Sequence, residues 1–148
     1  MRNLFILAIL SLLSFSCNKK HSYSNTPKIT FDRLSQNTTQ AGSQDIIYIR
    51  FLFEDGDGNI GFGTNNLFLK DSRDTVFQNY KIPDIPSKFN PEDGLKGIIQ
   101  VSYEAAFLLL RSDSLHQESD TLTWDIYMKD QAGNESNTIT TSPLILIK

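Results

Sequence analysis

The chain has 148 residues, a formal net charge of −3 and no basic cluster, which argues against a nucleic-acid partner. Its single cysteine excludes a disulfide framework. Its two histidines, His21 and His116, fall in separate polar stretches and make no zinc pair.

The first residues read as an export signal. Met1-Arg2-Asn3 is a short positive start, Leu4–Leu13 is an apolar run broken only by Ser11, and Ser14-Phe15-Ser16-Cys17 follows. The run is too short to span roughly 30 Å of hydrocarbon, so residues 1–16 are predicted to be a cleaved signal peptide. Cys17 after a small residue resembles the lipobox of bacterial lipoproteins, in which the cysteine becomes the new N-terminus and carries lipid. The match is relaxed, with Ser14 three places before the cysteine and Leu13 one place further back. A lipidated cysteine also escapes the oxidation that threatens a free thiol in an exported domain. Several acyl chains, at about 0.8 kcal/mol per buried CH₂, hold a protein on a membrane without a spanning helix.

Residues 17–27 contain almost no large aliphatic side chain and read as a tether. Some lipoproteins of the Bacteroidota type carry an acidic surface-export signal just after the cysteine. Here Lys19 and Lys20 stand there instead. The resemblance therefore implies an outer-membrane protein facing the periplasm.

From Lys28 onward the period is that of strands. Lys28–Leu34 is the first. Asp45–Glu54 places Ile47, Ile49, Phe51 and Phe53 on one face. Leu67–Lys70 and Thr75–Lys81 flank a turn at residues 71–74, and Gly97–Tyr103 is another strand. Ile82–Gly94, with three prolines, is an irregular connection, and Glu104–Arg111 fits a helical turn or a strand extension equally. Thr121–Lys129 alternates cleanly, with Leu122, Trp124, Ile126 and Met128 inward. Asn137–Ile147 is the last strand, with Pro143 marking a bulge or an edge. These elements predict one all-β domain over residues 28–148, a two-sheet sandwich of about seven strands.

Two motifs stand at the ends of the strongest strands. Residues 53–63 read FEDGDGNIGFG, and residues 128–137 read MKDQAGNESN. Together they resemble the Ig-like domains of small Bacteroidota-type lipoproteins, where a DGDG-x-IG loop is followed late in the chain by D-x-AGN-x-SN. The resemblance implies an Ig-like β-sandwich and an envelope location, and no biochemical activity.

Both loops admit two readings. In the first they are ordinary turns, with glycine supplying positive φ and Asp and Asn side chains bonding back onto the backbone. In the second they bind calcium. Asp55, Asp57 and Asn59 alternate and offer three oxygens in a flexible loop, as hard cations require. The segment is no EF-hand, because Ile60 and Asn66 occupy the positions that would need glycine and an acid. If the two strands are B and F of an Ig-like sandwich, their following loops emerge at the same end. Asp130 and Asn134 would then complete a Ca²⁺ site.

Nothing in the sequence assembles a catalytic group: no G-x-S-x-G elbow is present, and the cysteine is taken by lipid. The expectation is a non-enzymatic, membrane-anchored binding or scaffold module that presents its loop end to an envelope protein or glycan. The alternative is a carbohydrate-active enzyme, or an accessory subunit of a polysaccharide-processing system, whose carboxylate-rich loops act on a carbohydrate. An aromatic platform beside Phe62 and Phe68 would favour glycan binding, and a concave cleft with two facing carboxylates would favour hydrolysis.

Overall fold

The computed structural model describes residues 23–61, 63–86, 94–111 and 118–148. The segment expected to be a signal peptide, Cys17, both histidines and Phe62 lie outside them. The strands are β1 (Lys28–Leu34), β2 (Thr38–Gln40), β3 (Ile46–Asp55), β4 (Asn65–Asp71) and β5 (Gln78–Lys81). They continue with β6 (Leu95–Glu104), β7 (Ser119–Leu122), β8 (Trp124–Met128), β9 (Ile139–Thr140) and β10 (Leu144–Ile147). A 3-10 turn, Ala105–Phe107, follows β6 and resolves the ambiguous Glu104–Arg111 stretch.

One layer is the antiparallel sheet β1-β3-β6. Two further sheets are β5-β4-β8-β9, antiparallel, and β2-β10-β7, in which β2 runs parallel to β10. β8 follows closely on β7 and β9 leads closely into β10, which connects these two sheets. The count of ten rather than about seven strands comes from local breaks. Thr123 alone separates β7 from β8, and Thr141–Pro143 separate β9 from β10. Side chains fill both breaks. The Trp124 N–H donates to Thr141 Oγ1 (3.0 Å), and the Thr123 N–H donates to Ser72 Oγ (3.0 Å). β1 and β2, separated by residues 35–37, belong to different sheets.

The core lies between the layers, and alternation puts it there. β3 buries every second residue, and β8 buries Trp124, Ile126 and Met128. All eight residues read as core from the sequence are buried, none more than 6% exposed. Each such side chain contributes about 1.5–3 kcal/mol when removed from water. Phe31 and Arg33 on β1 bracket a bulge. No helix among the described residues is long and apolar enough to cross a membrane.

Candidate metal centre

The same alternation that buries the core carries an acid inside. Asp55 is the last residue of β3, and its side chain occupies the next inward position after Phe53. It is fully enclosed, at 0% exposure. Gly58, at φ +65°, then bends the chain where a side chain would be strained. The bend returns Asn59 to the strand end. There its N–H donates to Asp55 Oδ2 (3.0 Å), and its Nδ2 donates to Asp57 Oδ2 (2.9 Å).

Asp130 arrives from the end of β8 and is likewise buried. Its carboxylate closes a turn on itself, accepting the Asn134 N–H at Oδ1 and the Asn134 Nδ2 at Oδ2, both at 2.7 Å. The Gln131 N–H donates to the Asn59 carbonyl (3.1 Å), which ties the two loops together. One oxygen each from Asp55, Asp57 and Asp130 then lies within 4.8 Å of the others.

Three carboxylates so close repel one another. Burial, then the neighbouring charges of Asp57 and Asp130, push the Asp55 carboxyl up to about 7; the Asn59 N–H pulls it back only in part. Asp55 Oδ1 and Asn59 Oδ1 are both buried and accept no hydrogen bond from the described residues. Oxygens that share one calcium at 2.3–2.6 Å lie at most about 5 Å apart, so the three acids fit its coordination sphere. Of the five residues proposed from the sequence, Asp55, Asp57 and Asp130 converge and Asn59 sits among them. Asn134 is engaged through its amide nitrogen in holding Asp130.

The N-terminal segment meets the fold at this same end. The Gly56 N–H donates to the Ser24 carbonyl (2.7 Å), and a Cβ at Gly56 would collide with the Tyr23 carbonyl oxygen. The remainder of the second motif is structural. Asn137 acts as a strand partner for Ile29, accepting its N–H and donating to its carbonyl, both at 2.9 Å.

Two features escape sequence reading. Asn66, buried among apolar residues, accepts the Ile82 N–H (2.9 Å) and pins the proline-rich connection. At the opposite end of the sandwich, Arg73 forks onto Asp71 (2.7 Å to Oδ2) and reaches Asp120 (2.6 Å). Arg111 pairs with Asp74 there. The charged tetrapeptide at residues 71–74 is the signal for this network, but its partners lie about 40 residues away and no local pattern names them.

The outer face of β4 and β8 carries aromatic rings. Phe68 stacks on Tyr127 (4.5 Å between centroids, 5° between planes), and Phe77 meets Tyr127 edge-on. Lys129 and Lys70 lie over Phe68 and Phe77. No protein-family model matches the chain, and no curated protein matches it significantly.

Proposed function

We propose that the protein is a lipid-anchored, non-enzymatic binding module of the bacterial envelope whose anchored end is stabilised by calcium. The observation that carries this reading is the Asp55 carboxylate, whose buried Oδ1 receives no hydrogen bond from the described residues and which has an oxygen within 4.8 Å of oxygens of two further carboxylates. Burying such an oxygen unpaired is costly, and a divalent cation compensates it best. Asp55, Asp57 and Asp130 would hold the ion, with Asn59 Oδ1 beside them. When bound, the ion neutralises their repulsion and locks the two loops together.

The Ser24–Gly56 contact supports a change in which end meets the partner. The tether enters at the acidic end, so that end faces the anchor. The opposite end bears Val76, Phe107 and Leu109, each more than half exposed among the described residues. A partner is better sought there than at the acidic loops.

The test is a thermal melt of the full chain in calcium, in magnesium and in chelator. Calcium is expected to raise the melting temperature with concentration, because it binds the folded state. Magnesium should do less, since it resists dehydration. Asp57→Ala should lose the response. Identical wild-type melts in calcium and chelator would reduce both loops to turns.

A further inference from the structure

The open edge of β6 points to a second copy of this chain as its partner. Among the described residues β6 pairs with β3 alone, in an unbroken register from Ile46↔Glu104 to Asp55↔Leu95. Edges of this kind are normally blunted by bulges, prolines, charges or shortness. The other edge strands follow that rule: β1 is bulged, β5 and β7 have four residues each, and β2 and β9 are shorter still. β6 runs for ten residues with no proline and no bulge, and its middle positions Ile98, Gln100 and Ser102 are uncharged.

The hydrogen-bond phase fixes which groups are on offer. The Ala105 N–H donates to the Asp45 carbonyl (2.9 Å), so residues 95, 97, 99, 101 and 103 aim their backbone groups at β3. Residues 96, 98, 100, 102 and 104 aim theirs outward. We propose that two copies join through this edge, antiparallel about a two-fold axis at Gln100, into one six-stranded sheet.

The sequence of β6 is complementary to itself in that register. Lys96 of each copy faces Glu104 of the other, at both ends of the contact. Ile98 faces Ser102, and Gln100 faces its own counterpart. Every one of these positions is an outward-bonding one, so the ladder closes without displacing a bond to β3. On the inner face, Ile99 of one copy faces Val101 of the other. Both are half-buried and line an apolar groove of about 580 Å³ with Phe53, Leu67, Tyr80 and Ile82. Registers shifted by two residues keep the backbone phase but lose the Lys96–Glu104 match.

The experiment has two parts. In the first, sedimentation of the full chain over a wide concentration range should show a monomer–dimer equilibrium. Lys96→Glu and Glu104→Lys each place like charges at both ends and should each weaken association roughly tenfold. A mixture of the two variants restores both pairs, and should associate as well as wild type. In the second part, Gln100→Cys in a Cys17→Ser background should form a disulfide-linked dimer, since paired Cα atoms about 5.5 Å apart suit that bond. Arg50→Cys, one strand inward and opposite Gln100 on β3, should not. A monomer at every concentration, equal cross-linking at positions 50 and 100, or association indifferent to both charge changes would each overturn the proposal.

Discussion

Trp124 and Asp55 occupy equivalent inward positions and behave oppositely. Trp124 is buried in the centre of the core against Tyr103, yet its Nε1 has no acceptor. Trp124→Ala is expected to cost about 3–5 kcal/mol in denaturant unfolding. Trp124→Phe should cost clearly less, because it removes an unpaired donor along with the lost area. Asp55 has a pH signature. Its carboxyl titrates at about 7 in the folded chain and near 3.8 unfolded, so between those values the folded state holds more protons. In chelator, its contribution to stability should fall as pH rises from about 4 to about 7, then level off. Denaturant unfolding at about pH 5 and about pH 8 reads this, with Asp55→Asn lacking the drop. Calcium should flatten the wild-type profile as well, since ligation holds the carboxylate ionised.

The charged end depends on a side chain that joins separate elements. Arg73 draws the turn after β4 onto Asp120 of β7, and its hydrogen bond to the Leu109 carbonyl (3.0 Å) adds the segment after the 3-10 turn. Asp71 beside it is almost wholly enclosed. Arg73→Ala leaves that carboxylate buried without its cation, keeping the bond from the backbone N–H of residue 73, and should cost about 3 kcal/mol by denaturant unfolding. Arg73→Lys keeps the charge but cannot fork, and should recover only part of the loss. Legibility also divides at this scale. β3 and β8 were readable because a half-buried strand must alternate, and the sandwich follows from that alternation. The breaks at Thr123 and Thr141 were not readable, because each depends on a hydroxyl from a neighbouring strand replacing a ladder bond. At the acidic end, the three aspartates were visible as residue types. That Asp55 belongs to the strand and is enclosed follows only from counting its parity along β3.

For the molecule as a whole, the proposed anchor is testable without reference to the fold. Labelling cells with a palmitate analogue should mark the wild-type protein and not Cys17→Ser; equal labelling of both, or of neither, contradicts the anchor. An anchored sandwich must also carry load. With the proposed anchor in place, traction would reach the fold through the Ser24–Gly56 bond and the Lys28 end of β1. There the antiparallel ladder with β3 is pulled along its length, so its bonds resist together rather than one at a time. Asn137 adds two hydrogen bonds across the layers at Ile29, beside the point of entry. Anchored in the proposed way, the domain would take the load in shear through its most extensively paired sheet. The domain should hold its shape under tension that would unzip a strand drawn off sideways.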